Sequence, residues 1–324
     1  MPEQNIDKIS KVHSRSVNIS VVIPLYNEEE SIAELTEKIN SALDVSEIEI
    51  LFVDDGSEDS SWNIIEQLSD KFDHVKGIRL RKNYGKSAAL QAGFDNASGN
   101  YVVTLDADLQ DDPFEIPEMI KQLEGGADLV SGWKKERHDP ITKTIPSRFF
   151  NAVTRWTTGI KLNDFNCGLK AYRREVTRNI NLYGELHRYI PLLAKWQGFG
   201  KIEEQVVKHH PRKYGKTKFG LSRFMNGFLD LITLLFVNRY TNRPMHFFGT
   251  LGVIFSAVGI IINVYITVLK VFWDVPIGNR PLFFLGILLL VVGVQLFSIG
   301  FLGEMINKNR EKKFKPKVSK KIGL

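Results

Sequence analysis

From Asn18 onward the chain alternates short β-branched runs with amphipathic stretches. The runs NISVVI (18–23), IEILFV (48–53), VKGIRL (75–80), YVVTL (101–105) and ADLVSG (127–132) predict strands, since Val and Ile suit a buried pleated surface. Apolar positions at three- and four-residue spacing between them predict helices near 29–43, 59–71, 86–97 and 114–124, with another over Ser147 to Thr158. Strand and helix in alternation imply an α/β fold with a mostly parallel sheet. In such sheets, ligands bind beyond the carboxyl ends of the strands.

The pattern changes in the last third. Phe247 to Leu269 and Pro281 to Gly303 contain no Asp, Glu, Lys or Arg, and each is 23 residues long. As helices they would measure about 35 Å, against a hydrocarbon core of about 30 Å, so both are predicted to span a bilayer. Phe219 to Val237 is also apolar but is interrupted by Arg223 and Asp230. It suits a helix lying in the membrane interface, or equally a helix packed on the preceding domain. The opening MPEQNIDKIS has no apolar run, so no secretory leader is expected, and residues 1–17 are read as a flexible tail.

Composition sharpens this division. Across 324 residues the chain is 43% hydrophobic and 25% charged, enough to bury a core and unlike a disordered protein. Its one cysteine, Cys167, can form no internal disulfide, and nothing suggests an oxidising compartment. The net charge of +6 would ordinarily raise the question of nucleic acid. Residues 1–204, however, hold 25 Lys and Arg against 33 Asp and Glu, whereas the remainder holds 18 against 4. An acidic domain followed by a basic, apolar segment points to an anionic membrane surface and away from nucleic acid. Eight basic residues lie in 208–243 and eight in 308–321, but two in 270–280, which predicts both flanks in the cytoplasm and a short external linker.

Candidate chemistry gathers at predicted strand ends. Asp106 and Asp108 follow strand four with one small residue between them, and Gln110 adds a neutral oxygen, a hard donor set for Mg²⁺ or Mn²⁺. Asp111 and Asp112 are expected to be solvated or to cap the helix starting near Pro113. Asp54 and Asp55 end strand two, where they could cap a turn or accept from a nucleobase or ribose. Gly85-Lys86-Ser87 resembles the end of a phosphate-binding loop, but Leu80 stands where its first glycine belongs, which excludes that motif. Lys86 is left as a diphosphate contact or a surface lysine. Asp164 lies in a turn-forming stretch and is either a loop cap or a carboxylate on the acceptor side. His209 and His210 lack partners at ligand spacing and are read as loop residues, with Arg212 and the nearby lysines as phosphate contacts.

Taken in order, VVIPLYNEE, LFVDDGSEDSS, RLRKNYGKSAALQAGF, GNYVVTLDADLQDDPFEIPEMI, DFNCGLKAYRREV and PRKYGKTKFG resemble glycosyltransferase family 2. Within it, the polyprenyl-phosphate glycosyltransferases are the most similar group, and the resemblance runs over about 18–310. It implies a GT-A type nucleotide-sugar domain over 18–217, a juxtamembrane region over 218–243, two transmembrane helices over 244–303 and a basic cytoplasmic tail over 304–324. It also implies that Pro24, Tyr26, Glu28, Val53, Asp55, Lys86, Asp106, Ala107 and Asp108 surround the nucleotide sugar. Asp106, Asp108 and Gln110 would hold Mg²⁺ or Mn²⁺, while Arg148, Arg212 and Lys218 would meet acceptor or phosphate. Asp108, Asp164 and Arg212 would carry catalysis.

The implied reaction is inverting transfer of a hexose, glucose foremost, from a UDP- or GDP-sugar to undecaprenyl or dolichyl phosphate at the cytoplasmic face of a bacterial inner membrane. A non-catalytic membrane sugar-nucleotide sensor or scaffold of the same fold is the alternative. Processive relatives carry Q-x-x-R-W where this chain has Ala152-Val153-Thr154-Arg155-Trp156, which argues against polymer synthesis. Gly303-Glu304-Met305 replaces the family's Gly-Glu-Tyr. Gly249, Gly252, Gly259, Gly286, Gly293 and Gly300 in the spans could pack against one another or against a second subunit in a homo-oligomer.

Overall fold

The computed structural model describes residues 17–135, 151–211, 213–214, 244–273, 276, 280–308 and 318–323. They fall into two units, one ending near Phe224 and rejoined by Phe314–Leu324, the other covering Met225–Lys313.

In the first unit, β1 (Ile19–Leu25), α1 (Ile32–Ala42), β2 (Ile48–Asp54), α2 (Ser61–Lys71), β3 (Val75–Leu80), α3 (Lys86–Asn96), β4 (Tyr101–Thr104), α4 (Ile116–Glu124) and β5 (Leu129–Trp133) follow the predicted alternation. After a helix α5 at 151–158 come β6 (Lys170–Arg173), α6 (Arg174–Asn179), a 3-10 turn over Leu186–Tyr189, α7 (Ile190–Trp196) and β7 (Ile202–Val206). The eight-stranded sheet has the order β7-β5-β6-β4-β1-β2-β3-β8. Pairing is parallel for β1 with β2 and β4, for β2 with β3 and for β5 with β7, while β6 runs antiparallel between β4 and β5. All seven residues of β1 and of β2 are buried, as expected of central strands covered on both faces.

Strand order reverses direction beside β1. The chain moves to one side through β2 and β3 and then returns to place β4 on the other side. Pro24 sits at this switch point. Its pairing with β4 has already stopped at Val22↔Thr104, so no strand on that side waits for the N–H that proline lacks. The carboxyl ends of β1 and β4 at this switch point are where doubly wound sheets leave a crevice for ligands.

Within the stretch read as a basic tail, Val318–Ile322 forms β8, which pairs antiparallel with β3 through Gly77↔Ile322, Ile78↔Lys321 and Arg79↔Lys320. Lys321 donates to the Asn96 side chain at 2.8 Å, and Lys320 lies 3.5 Å from Glu66.

In the second unit, a π-helical turn at Met245–Gly249 leads into α8 (Thr250–Trp273), and α9 covers Pro281–Lys308. Both helices are long and apolar enough to cross a membrane, over Met245–Trp273 and Pro281–Ile306, and they contain the two predicted spans. Glycine contacts between them are direct. A Cβ on Gly252 would lie 2.6 Å from the Gly293 carbonyl oxygen, and one on Gly259 would lie 2.7 Å from that of Gly286. Small residues thus let the two backbones touch, a source of helix association where apolar surroundings remove the hydrophobic drive.

Candidate functional site

Two acidic turns face each other across the β1 switch point. The first closes β2. Asp54 is fully buried, with its Oδ1 accepting from Ser57 N at 2.7 Å and its Oδ2 3.3 Å from Arg79 Nε. Asp55 is 4% exposed, and its two oxygens accept from the backbone N–H groups of Tyr84 and Gly85, each at 2.8 Å. Burial pushes the Asp55 carboxyl above its ordinary range, against the pull of these two bonds. The same turn is stitched to the end of β1. Asn27 N donates to Ser57 Oγ at 2.9 Å, Glu58 N donates to Asn27 Oδ1 at 2.9 Å, and Glu28 N donates to Ser61 Oγ at 3.0 Å. Asn27 adopts a left-handed φ of 55°, which its short polar side chain tolerates. Tyr26, Glu28 and Asp55 thus lie on two joined turns, while Pro24 and Val53 are buried and pair with each other across β1 and β2.

The second turn closes β4. Lys86, the first residue of α3, donates to Asp106 Oδ1. Burial alone would raise the Asp106 carboxyl, but attraction and hydrogen bonding from Lys86, aided by Lys134, hold it at about 2. Its side chain is nevertheless 32% exposed. Behind it lies Gly168, where a Cβ would come within 2.5 Å of Asp106 Oδ2, so only glycine leaves the carboxylate its place. Ala107 is buried, Leu109 turns the chain at φ 60°, and Gln110 N donates to Asp108 Oδ1 at 3.2 Å. The Gln110 carbonyl accepts from His210 N at 2.8 Å.

This donor set fits Mg²⁺ or Mn²⁺. Asp106 is ionised and cradled, and Asp108 and Gln110 follow on the same turn; the set relies on the Gln110 amide, since among the described residues no group of three His, Cys, Asp or Glu side chains is placed to hold a metal ion. Two carboxylates and an amide leave coordination positions for phosphate oxygens, the usual way Mg²⁺ is held with a phosphorylated substrate.

Other side chains around Asp106 carry no signal in periodicity or composition. Asp111, expected to be solvated or a cap, is instead buried and 2.7 Å from Lys134 Nζ, with His209 Nδ1 at 3.9 Å; the partner that makes this burial tolerable lies 23 residues away in sequence. Asp112 is the cap, accepting from Phe114 N at 3.1 Å ahead of Pro113. Burial would lower the Lys134 ammonium, but the Asp111 carboxylate raises it beyond the ordinary lysine range. Lys170 is 3% exposed, donates to the Cys167 carbonyl and is pushed below its ordinary range by burial. Burial also pushes the Cys167 thiol up to about 12, so it stays neutral.

His187, in the 3-10 turn, is held well below 6.5 by burial and then by the Lys86 and Arg188 charges. Ser87 Oγ accepts from His187 N at 3.0 Å and lies 3.0 Å from His187 Nδ1. Asp164 is 1% exposed; its Oδ1 accepts from Asn166 N at 3.1 Å, and its own N–H donates to Glu204 Oε1 at 3.0 Å. Arg148, Arg212 and Lys218 lie outside the described residues, as does the interfacial helix predicted over 219–237.

Residues 20–180 match the family described as glycosyl transferase family 2. A dodecaprenyl-phosphate galacturonate synthase of Rhizobium johnstonii is 39% identical over 299 residues, covering 90% of this chain and 88% of the relative. The chain belongs to glycosyltransferase family 2. An undecaprenyl-phosphate 4-deoxy-4-formamido-L-arabinose transferase of Shewanella sediminis is 35% identical over 305 residues, 91% of this chain and 89% of that one. These relatives put the chain with the polyprenyl-phosphate sugar transferases of the family. Among solved structures, the glucosyl-3-phosphoglycerate synthase of Mycobacterium tuberculosis in complex with Mn²⁺, UDP-glucose and glycerol 3-phosphate superposes with a TM-score of 0.51 at 23% identity, over 68% of this chain and 80% of its own. That likeness confirms the GT-A type α/β fold.

Proposed function

We propose that this glycosyltransferase moves a sugar from a nucleoside diphosphate to a polyprenyl phosphate at the cytoplasmic face of the membrane, with inversion at the anomeric carbon. The observation that carries the reading is the Asp106–Asp108 turn at the β1/β4 crevice, surrounded by Lys86, Lys134 and Lys170, in a chain that also bears two membrane-length helices. A phosphate oxygen of the acceptor attacks C1 of the sugar; the bond from C1 to the diphosphate oxygen breaks, and the nucleoside diphosphate leaves with the electron pair. The acceptor is already anionic at neutral pH, so alignment and neutralisation of the leaving group are the main tasks. When bound, Mg²⁺ or Mn²⁺ supplies Lewis-acid charge at the leaving diphosphate.

Asp106, Asp108 and Gln110 hold that cation, and the joined turns of Pro24–Glu28 and Asp55 receive the nucleotide. Arg148, Arg212 and Lys218 serve acceptor or phosphate, and Asp164 orients the buried Lys170 on the acceptor side. The basic flanks at 208–243 and 308–321 draw an anionic headgroup to the membrane surface. Because β8 follows both long helices and yet joins the catalytic sheet, it supports a hairpin that crosses twice and returns to the cytoplasmic side. Glucose is the favoured sugar on family resemblance. Galacturonate and 4-deoxy-4-formamido-arabinose, the sugars named for the two relatives, are the competing donors to test.

The deciding experiment supplies full-length protein with undecaprenyl phosphate, Mn²⁺ or Mg²⁺ and, in parallel, labelled UDP-glucose, UDP-galacturonate, UDP-4-deoxy-4-formamido-arabinose, UDP-GlcNAc and GDP-mannose. One donor is expected to give a solvent-extractable labelled lipid. Nucleotide binding with no lipid product from any intact donor would replace the transferase reading with that of a sensor.

A further inference from the structure

The Lys86 ammonium occupies the Asp106 oxygen that the candidate cation site needs. Three features make this pairing exchangeable. The lysine side chain is 29% exposed and the Asp106 side chain 32%, so the pair borders the open crevice. Lys86 is the first residue of α3, and the backbone there is pinned on both sides. The N–H of Gly85 is held by Asp55, and Ser87 is held by the His187 N–H and imidazole. The ammonium can therefore swing on its four-carbon stem while the helix stays in place. Finally, the Asp111 carboxylate already engages the neighbouring Lys134, which leaves Lys86 as the cation most readily released.

We propose that Lys86 is an exchangeable counter-ion, which leaves Asp106 when a divalent cation binds there and then engages the diphosphate of the donor. This rests on the donor-site reading above and deepens it. A divalent cation and an ammonium repel each other across one carboxylate, so arrival of the first expels the second. A nucleoside diphosphate arriving next finds both the metal and a freed lysine. Binding of metal and of nucleotide is then coupled, and by linkage each tightens the other by the same factor.

Lys86 itself reports the exchange. Full-length protein in lipid nanodiscs is treated with an amine-acylating reagent, and labelling at Lys86 is read by mass spectrometry with no addition, with Mn²⁺, and with Mn²⁺ plus UDP; exposed Lys121 serves as the internal reference. Labelling of Lys86 is expected to rise about tenfold with Mn²⁺ and to fall back when UDP is added. In a second arm, Mn²⁺ binding followed by electron paramagnetic resonance is expected to be about tenfold tighter in Lys86→Met than in the wild type without nucleotide. Unchanged Lys86 labelling on Mn²⁺ addition, or unchanged Mn²⁺ affinity in Lys86→Met, overturns the exchange. If the wild type with Mn²⁺ binds UDP while Lys86 labelling stays constant, the exchange alone fails. If it does not bind UDP at all, the donor-site reading fails with it.

Discussion

The carboxylates that end β2 and those that end β4 are chemically alike but are neutralised in opposite ways. Asp54 and Asp55 are satisfied largely by backbone N–H groups, from Ser57, Tyr84 and Gly85, with Arg79 alongside. Backbone partners cannot leave, so this turn is architecture, fixing the β3–α3 loop over the end of β2. Asp106 is satisfied by the end of a lysine side chain, and its own side chain stays a third exposed. Such a partner can be traded for a ligand, so this turn is built for exchange. The contrast separates holding a substrate's frame from doing chemistry on it, although both turns read as strand-end aspartates.

Substitutions should break the comparison in different observables. Asp108→Ala is expected to lower the turnover of lipid-linked sugar by about 10³-fold, equivalent to about 4 kcal/mol, while the melting temperature stays near that of the wild type. An active variant would remove the cation role from this turn. Asp54→Ala should do the reverse. By removing the Arg79 counter-charge and leaving the buried Ser57 N–H without its acceptor, it should cost about 2 kcal/mol of stability in denaturant unfolding, with lost activity tracking the lost folded fraction. Asp55→Asn retains one acceptor oxygen and forfeits the other, so donor KM should rise about tenfold with a stability loss of about 1.5 kcal/mol. A KM unchanged in that variant would detach the β2 turn from the nucleotide.

The smallest effect concerns pH. His187 has a folded-state pKa depressed below 6.5, so the unfolded chain takes up a proton near 6.5 that the folded chain refuses. Stability is therefore fully present above about pH 6.5 and declines as pH falls below it, by about 1.4 kcal/mol per pH unit until the folded pKa is reached. Replacing His187 with Gln should flatten this slope in melting scans between about pH 7.5 and 5.5, conditions that bracket the ordinary His value of about 6.5. An equal slope in both proteins would show that the imidazole titrates freely.

Much of this design was legible beforehand, and the lapses share a cause. β1 to β5 were readable because continuous or alternating Val and Ile runs report burial directly, and the Asp106–Gln110 turn because it follows such a run. β7 was missed because IEEQV has no fully buried position, and β8 because VSKKI reads as part of a basic tail. Both gain their identity from a neighbouring strand, information that a local pattern does not carry. Asp111 was misjudged for the same reason, since Lys134 approaches it from just beyond the end of β5. The His187–Ser87 clamp spans 100 residues and announces itself only in three dimensions. Sequence left Lys86 as a diphosphate contact or a surface lysine, and its pairing with Asp106, 20 residues away, is likewise visible only in three dimensions.

β8 also orders events in time. The outer edge of β3 has unpaired backbone groups until Val318–Ile322 arrives, and that strand is synthesised only after both long apolar helices. During translation, the nascent domain therefore carries an open sheet edge, the kind that recruits foreign strands, until the hairpin is made and the last lysines come home. Maturation of the catalytic sheet is thereby scheduled behind synthesis of the membrane helices, and a ribosome that stalls between them leaves a domain unfinished at its border.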